Sequence, residues 1–403
     1  MAKTYSLILR NILILLILMA VFSPFADASE TISDTEITQD IHFTRYRPDD
    51  YRGSVVSMVR IKIDAIKNNR LMIDAVPGGT NTIWGTSSPA NIGTRTDAYA
   101  VINGPYFASS GGKTYPLGFS VIDGILSQLG LLNRPLIGIS DDGVLLTEIC
   151  HPRAFVTSDA YFDPLWLWGI NSPAGPDNVT LYDSRWGSSV GTQGGTGVSI
   201  SPPEESDTIT IEIDSSTLRN QGKNWDGEVT DVMDSGSLNI PENGYVLIFR
   251  GRSESDAARY PVGSSVSALV YELPEEYEEL PWMCTLGPWF VNNGHFREYS
   301  DETNYDSSVT ARATRSCIGT TWNNEIFFAV ITGNGLNISE TAEALIDCNV
   351  REAVMCDSGS SSGLWIKGVG NVRGSSNVPL YLVVRDYEEE DYPELKIYEG
   401  TIR

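Results

Sequence analysis

Two short apolar runs within residues 315–365 place the strongest restriction on how this chain can fold. Residues 326–331 (IFFAVI) and 352–356 (EAVMC) lack the polar alternation of a surface strand. Continuous apolar runs of this length are typical of strands that are buried on both faces. The sequence therefore predicts two strands of a sheet that is covered on both sides.

The segment between these runs is predicted to form a short helix. Asn337 and Glu340 have the spacing of a capping box, in which two side chains satisfy the first N–H groups of a helix. Ala342, Leu345 and Ile346 then supply one apolar helical face. A helix with a single apolar face is expected to pack on the predicted sheet.

The second apolar run ends at an acidic residue. Asp357 opens the loop at residues 357–363 (DSGSSSG), in which all the following residues are serine or glycine. Side chains this small leave a neighbouring carboxylate uncovered, as in loops that carry functional groups. We therefore expect Asp357 to face a ligand.

Short strand-like segments separated by turns run through the rest of the chain. Examples lie at residues 55–64, 71–76, 98–102, 209–213 and 245–249. Glycine accounts for 37 of 403 residues, above the usual share of about 7%, which favours a turn-rich β protein. With few brief helices and no long linker, the sequence predicts a single β-rich α+β domain with mixed or antiparallel sheets.

The N-terminus has the features of an export signal. Residues 12–22 are apolar but shorter than the roughly 20 residues that cross a bilayer, and residues 26–28 form a small-x-small cleavage site. We predict a signal peptide at residues 1–28, a flexible leader at 29–54 and a folded domain at 55–403. An uncleaved anchor is the alternative. Cleavage predicts a protein that is secreted, or held at the cell surface or in the periplasm, without stable membrane insertion.

Acidic residues dominate the charge, and the formal net charge is −24. A surface of this sign repels nucleic acid and anionic membranes, so neither is expected as a partner. It also repels an anionic substrate, although salt limits this repulsion to about 8 Å. An anion site in this chain must therefore be built locally from particular arginines.

Cysteine and histidine spacing predicts no metal site, and no cofactor is expected. The five cysteines form no C-x-x-C pattern, and the three histidines lie far apart. Export permits disulfides, and Cys348 with Cys356 is one candidate pair, although an odd number leaves at least one thiol over. Acidic runs at residues 275–279 and 386–391 lack the ligand spacing of a calcium loop and are interpreted as solvated loops.

A strand at residues 98–102 (AYAVI) leads into residues 103–107 (NGPYF). An Asn-Gly pair at a strand end is first of all a turn signal, and it also suits a ligand-binding loop. The residues alone leave both interpretations open.

In their order along residues 98–385, several motifs resemble those of the phosphodiester glycosidase family. The family's Asn-Gly-Gly-Tyr-Phe motif corresponds to residues 103–107, and its Arg-Thr-Ala-Ile-Gly motif to residues 315–319 (RSCIG). The other correspondences are Ile170-Asn171 with Tyr182 and Trp186-Gly187, residues 286–294 (LGPWFVNNG), residues 335–340 (GLNISE) and the acid-led loop at residues 355–362. The resemblance implies the fold of this family.

The sequence departs from the family motifs at several positions. Pro105 stands where the family has glycine, and it lacks a backbone N–H that could bind an anion. The other differences are Thr332 for aspartate, Met355 for asparagine, and Ser358 and Ser360 for glycines of the acid-led loop.

The resemblance implies hydrolysis of the bond between the anomeric carbon of a sugar and a phosphodiester. Arg315 would bind the phosphate through its guanidinium, with help from Arg312. Asp357 would stabilise the developing cation, attack it, or activate water. The residues placed around the sugar or its phosphate are Asn103, Gly104, Tyr106, Asn171, Ser358, Gly359 and Ser360.

Two other functions remain open from the sequence. One is a non-catalytic protein that binds glycans or assists envelope polysaccharide assembly on the same fold, and the other is hydrolysis of ordinary glycosidic bonds. Arg315 and Asp357 also have a purely structural interpretation, as an ion pair. No second catalytic carboxylate is identified, and the candidates are Asp123, Asp183 and Glu340.

Overall fold

Antiparallel sheets form most of the protein. The computed structural model describes residues 29–387, with gaps at 52, 81, 131, 202–225, 272–274, 278–279, 303–304 and 306. Within these residues the predicted α+β class is confirmed, because large sheets and a few short helices make up the fold. The strand predicted at 209–213 and the signal peptide predicted at 1–28 lie outside the described residues.

The first sheet contains both apolar runs of residues 315–365. In spatial order its eight strands are β1 (Ser29–Thr38), β2 (Ile41–Pro48), β3 (Ser54–Lys62), β26 (Glu325–Leu336), β25 (Ala313–Thr321), β27 (Val350–Met355), β23 (Trp289–Asn292) and β24 (His295–Phe296). The run at residues 326–331 lies within β26, and β27 takes up most of the second run.

The second sheet carries the turn that begins at Asn103. Its five strands, in spatial order, are β29 (Gly370–Arg373), β28 (Leu364–Ile366), β5 (Ala100–Asn103), β30 (Leu380–Asp386) and β4 (Leu71–Pro77). All its pairings are antiparallel, so the chain enters β28 beside the end of β5.

The third sheet encloses a core of its own. Its thirteen strands, in spatial order, are β11 (Leu145–Ile149), β10 (Pro135–Ile139), β22 (Met283–Thr285), β8 (Ser120–Ile122), β9 (Ile125–Gly130), β14 (Gly169–Ile170), β15 (Val179–Asp183), β20 (Tyr245–Phe249), β17 (Thr196–Ser201), β18 (Asp226–Met233), β21 (Ser265–Tyr271), β12 (Arg153–Ser158) and β13 (Tyr161–Leu167). Two ribbons complete the strands: β6 (Phe107–Ser110) with β7 (Lys113–Pro116), and β16 (Ser189–Gly191) with β19 (Ser237–Asn239).

The helices are short. The α-helices are α1 (Ile63–Lys67), α2 (Pro89–Arg95), α3 (Ser307–Thr310) and α4 (Ile338–Ile346), and the 3₁₀ segments are Gly251–Arg259, Glu275–Tyr277 and Gly359–Ser361. In the part of the chain that the structure describes, none is long and apolar enough to cross a membrane. The predicted capping box at the start of α4 is confirmed, because Asn337 Oδ1 accepts the Glu340 N–H and Glu340 Oε2 accepts the Asn337 N–H, each at 2.9 Å.

The eight-stranded sheet is covered on both faces, as its continuous apolar strands require. One face packs on the five-stranded sheet, where Phe328 and Val354 share a cluster with Ile102 and Leu382. The opposite face, with Phe327 and Met355 among its residues, packs on α4. Consecutive residues of one strand thus enter two different cores, which is the two-residue period of a pleated sheet.

The prediction of a flexible leader at residues 29–54 is wrong. These residues form β1, β2 and the start of β3, and β2 buries Ile41 and Phe43 against the five-stranded sheet. The outer strand β1 is mostly polar, and its two isoleucines, Ile32 and Ile37, are too far apart to show an apolar period. Its backbone pairs with β2, and Asp34 forms an ion pair with Arg60 at 3.2 Å.

The proposed disulfide between Cys348 and Cys356 does not form. Cys356 belongs to the core between the two sheets, whereas Cys348 belongs to the core under α4. The two thiols lie on opposite faces of the eight-stranded sheet. Closeness in sequence suggested the pair, and the pleat of the sheet separates it.

A buried aspartate in the five-stranded sheet should make stability depend on pH. Burial, and next the charge of nearby Asp123, raise the pKa of Asp74 to about 6, against the opposing effect of an ion pair with Arg385 at 3.2 Å. The unfolded chain has an aspartate pKa of about 3.9, so between these values the folded state binds more protons. The contribution of Asp74 to stability therefore falls as pH rises from about 4 to 6.

We expect Asp74→Asn to remove this part of the pH dependence. Between pH 4 and 7 the unfolding free energy of the variant, relative to wild type, should rise by about 2–3 kcal/mol. Urea unfolding across this range measures the difference. Asp142→Asn, at an exposed hairpin tip, is the matched control and should run parallel to wild type. Parallel curves for Asp74→Asn would contradict the assignment.

Candidate active site

Asp357 lies where the chain crosses from the eight-stranded to the five-stranded sheet. The Cys356 N–H donates to the Ser316 carbonyl at 2.9 Å, which ends the pairing with β25. The Asp357 N–H then donates to the Gly104 carbonyl at 3.0 Å, beyond the end of β5. Asp357 is thus fixed between two rigid sheets at its backbone, while its side chain stays half-buried.

Asn103 and Asp357, which the family resemblance assigns to one site, are in contact. The Asn103 amide donates to the Asp357 carbonyl at 2.7 Å, and its own oxygen accepts the Gly363 N–H at 3.0 Å. The side chain is fully buried. The structure therefore gives Asn103 the role of holding both ends of the acid-led loop, and substrate contact by its side chain stays a prediction.

Removing the Asn103 side chain should lower both the stability and the activity of the protein. Asn103→Ala leaves the Gly363 N–H without its side-chain acceptor and takes one of two side-chain donors from the Asp357 carbonyl. We expect a loss of about 2–4 kcal/mol in unfolding free energy. Activity should drop about 10-fold or more, because Asp357 is no longer held in place.

Denaturant unfolding and turnover measure the two effects of the Asn103 change. Ser316→Ala is the matched control, since the Ser316 hydroxyl donates to the same Asp357 carbonyl at 2.7 Å and makes no second bond to the loop. It should cost clearly less than Asn103→Ala. Equal losses would show that the bond to Gly363 contributes nothing.

Burial dominates the environment of the Asp357 carboxyl. Burial raises its pKa above the ordinary value of 3.8, and hydrogen bonds from Ser361 and the Ser358 N–H, together with the charge of Arg134, limit the rise. The Ser358 N–H lies 2.8 Å from Oδ1. A carboxyl with a raised pKa is the kind of group that serves as acid or base in catalysis.

An arginine and a tyrosine lie near this carboxyl, and a second tyrosine packs on the arginine. The Arg134 guanidinium lies 4.7 Å from the ring centre of Tyr106 and 4.4 Å from that of Tyr305. Its Nε and the Tyr106 hydroxyl are both buried without a hydrogen-bond partner among the described residues. Burial, and next the charge of Asp357, raises the pKa of Tyr106. Buried polar groups left unsatisfied in this way are suited to bind a ligand.

Arg315, which the family resemblance assigns to the phosphate, makes internal contacts and forms no ion pair with Asp357 among the described residues. It is fully buried, and its guanidinium donates to the Leu336 carbonyl at 3.0 Å and to the Ala311 carbonyl. A third contact is made with the Met355 sulfur at 3.7 Å. Arg315 therefore ties the end of β26 to the strand beside Asp357.

Arg312 and Asn171 are also committed to structural contacts. Arg312 pairs with Glu340 at the start of α4, which removes both the proposed helper and one proposed second acid from the site. The buried Asn171 amide donates to the Ser127 carbonyl and to Asp183, both at 3.0 Å, inside the thirteen-stranded sheet. Internal partners occupy these groups, and substrate contact by Arg312 and Asn171 stays a prediction. Asp123, the third candidate acid, lies near Asp74 instead.

Residues 358–360 of the acid-led loop remain accessible to a ligand. Gly359 has φ of +69°, and nothing lies within 4 Å of the position that a Cβ would occupy. Ser360 is exposed, and Ser358 is half-buried. Substrate contact by these three residues remains a prediction, whereas Gly104 uses its N–H on the Leu380 carbonyl and its carbonyl on Asp357.

Sequence reasoning missed Arg134. It precedes Pro135 at the entry to β10, some 220 residues before Asp357 in the chain, and no motif includes it. The one available signal was a lone arginine at the start of a buried strand in an acidic chain.

Two solved structures share the β-rich α+β fold of this chain. A protein from Synechocystis matches with a TM-score of 0.71 and 20% identity, over 89% of this chain and 64% of that chain. A protein of Burkholderia pseudomallei, designated a candidate exported protein, matches with a TM-score of 0.63 and 17% identity, over 85% of this chain and 74% of that chain. These likenesses concern the fold alone, and this chain spans less than two thirds of the Synechocystis protein.

Residues 220–385 match the family model described as phosphodiester glycosidase, which confirms the resemblance predicted from the motifs. The matched part includes Arg315, Glu302 and Asp357 but neither Asn103 nor Arg134. The catalytic domain of zebrafish N-acetylglucosamine-1-phosphodiester alpha-N-acetylglucosaminidase, auto-inhibited by its pro-peptide, matches with a TM-score of 0.41 and 12% identity, over 89% of this chain and 88% of that chain. That superposition is too loose to carry an argument. No curated protein matches the sequence.

Proposed function

We propose that this protein is an exported glycosidase that hydrolyses the bond between a sugar and a phosphodiester at the anomeric carbon. The observation that carries the proposal is the half-buried carboxyl of Asp357 beside the guanidinium of Arg134, which has no ion-pair partner among the described residues. One group suits the reacting carbon and the other suits the phosphate. The family match of residues 220–385 supports the same reaction class.

In the proposed reaction, the bond from the anomeric carbon to the phosphate oxygen breaks, and the phosphate keeps the electron pair. Arg134 stabilises the charge on this leaving group with its N–H donors. Water forms the new bond to the anomeric carbon, and its proton passes to Asp357 as the base. A phosphate leaves readily, so a strong proton donor on that side is not needed.

Export is part of the proposal and rests on the N-terminal sequence. A positively charged start, an apolar run at residues 12–22 and a small-x-small site at residues 26–28 together have the form of a signal peptide. The N-terminal sequence of the mature protein, purified from the culture medium or the cell envelope, tests it. Recovery of chains that still begin at residue 1 would contradict it.

A non-catalytic glycan-binding protein is the second candidate. It is favoured by the hydrogen bonds that already occupy the Glu302 carboxyl. Glycoside hydrolysis usually uses two carboxyl groups. Near Arg134 the second acid is Glu302, whose oxygens already accept three hydrogen bonds from the protein. A site with one available carboxyl is what a binding protein on this fold would retain.

Incubation with a library of sugar-1-phosphodiesters and with matched phosphate-free glycosides separates these functions. The proposed function predicts release of sugar from the phosphodiesters only. Binding of glycan without any release would favour the binding protein. Turnover of phosphate-free glycosides at rates that Arg134→Ala leaves unchanged would instead indicate an ordinary glycosidase.

A further inference from the structure

Glu302 is the most completely anchored carboxyl near the site, although it does not reach Asp357. Its side chain is fully buried, and Oε1 accepts the Trp289 N–H at 3.0 Å and Arg297 Nη1 at 2.9 Å. Its other oxygen, Oε2, accepts the Tyr305 hydroxyl at 2.6 Å. An ionised carboxylate only accepts hydrogen bonds, so this set of three donors fixes its orientation.

Tyr305 connects this carboxyl to the arginine of the site. Its ring lies 4.4 Å from the Arg134 guanidinium, and Tyr106 faces the same guanidinium at 4.7 Å. Both distances are within the roughly 6 Å range of cation–π contacts. The two rings hold the guanidinium without using its hydrogen-bond donors, and its Nε–H has no hydrogen-bond partner among the described residues.

One further hydrogen bond and one glycine support the arrangement of Glu302, Tyr305 and Arg134. The Asn133 amide donates to the Asp301 carbonyl at 2.7 Å, which joins the segment before β10 to the loop that carries Glu302. Gly287 has φ of +131°, and a Cβ there would lie 2.3 Å from the Tyr305 hydroxyl oxygen and 3.1 Å from Glu302 Oε2. Glycine at this position therefore makes room for the bond between Tyr305 and Glu302.

We propose that Glu302 is a positioning residue for Arg134: its buried carboxylate fixes the Tyr305 ring, and the ring orients the guanidinium toward a phosphate group. This inference rests on the proposed function for its biological meaning, since it assigns Arg134 to the phosphate of the substrate. It concerns binding geometry, so it can be tested with inorganic phosphate and with a sugar 1-phosphate, without turnover.

The test is a double-mutant cycle that pairs Tyr305→Phe with Arg134→Ala in the full chain, read by calorimetric titration with phosphate. Tyr305→Phe keeps the ring and removes its bond to Glu302. We expect it to weaken phosphate binding about 3–10-fold when Arg134 is present and to have no further effect in Arg134→Ala. Glu302→Gln should behave like Tyr305→Phe. Should Glu302→Gln fail to fold, Tyr305→Phe still decides.

Tyr161→Phe is the matched control, because Tyr161 also faces an arginine, Arg259, at 4.3 Å, and it lies on the edge strand β13. It should leave phosphate binding unchanged. An equal loss from Tyr305→Phe in both Arg134 backgrounds would mean that the bond to Glu302 only supports the fold, and would overturn the inference. Absence of phosphate binding by wild type at millimolar concentrations would overturn it as well.

Turnover distinguishes this inference from the proposed function. If the cycle gives the expected coupling while no sugar phosphodiester is hydrolysed, the positioning role stands and the enzymatic function fails. Where turnover is present, Tyr305→Phe should raise KM more than it lowers kcat. A general loss of folded protein would instead lower the active fraction and leave KM unchanged.

Discussion

Asp357→Asn is expected to lower kcat for a sugar-1-phosphodiester by about 10²–10⁴-fold, the usual range for loss of a general base. Asparagine keeps the Oδ1 acceptor for the Ser358 N–H at 2.8 Å, so the loop should remain in place. The unfolding free energy should not fall, because the variant no longer buries an ionisable carboxyl. The change therefore separates the chemistry of Asp357 from its structural contacts.

The pH profile gives a second measurement for the same residue. A base must be ionised, so activity should fall as pH drops through the pKa of Asp357, which burial has raised above 3.8. That acidic limb should be absent from the residual activity of Asp357→Asn. Asp97→Asn, which removes an exposed aspartate paired with Lys367, is the control and should keep the wild-type profile. Full activity in folded Asp357→Asn would refute the assignment of the central acid.

Arg134→Ala should lower kcat/KM for the phosphodiester about 10²–10³-fold, since two charge-assisted hydrogen bonds to the leaving phosphate are lost. The acidic limb of the pH profile should also move to higher pH, because Arg134 now helps to lower the pKa of Asp357. Arg134→Lys keeps the charge without the planar fork, so it should preserve the position of the limb and recover only part of kcat/KM.

Steady-state kinetics at several pH values tests these effects together. Arg259→Ala is the matched control, because Arg259, at the end of the 3₁₀ segment Gly251–Arg259, also packs on a tyrosine ring, 4.3 Å from the ring centre of Tyr161. It should change neither kcat/KM nor the limb. A reduction below threefold for Arg134→Ala would show that the phosphate is bound elsewhere on the protein.

The strands and the helix of residues 315–365 could be predicted because their signals are local. A continuous apolar run and a capping box depend on neighbours in sequence, and the structure forms β26, β27 and α4 at those positions. The strand β1 was missed because its partners are a backbone edge and distant charged groups, which leave no period in its own residues.

The candidate site was only partly predictable, and Arg315 shows why. Its residue type is right for phosphate, yet whether a guanidinium meets a ligand or a carbonyl depends on what surrounds it in three dimensions. Here the Leu336 and Ala311 carbonyls surround it. Arg134 is the opposite case. No motif marked it, and it lies near Asp357 only because β10 packs near the junction of the sheets.

By itself, the sequence determined the β-rich class, the acid-led loop at Asp357 and its pairing with the turn at Asn103, since these follow from local patterns and from the family resemblance. Only the tertiary structure decided which arginine is available to a ligand. Arg315 is buried, and its donors bond to carbonyl groups of the protein. Arg134 is held between the rings of Tyr106 and Tyr305, which leaves its Nε–H without a hydrogen-bond partner among the described residues. The physical reason is that a side chain's hydrogen-bond partners are set by contacts between segments far apart in the chain, and no local pattern records them.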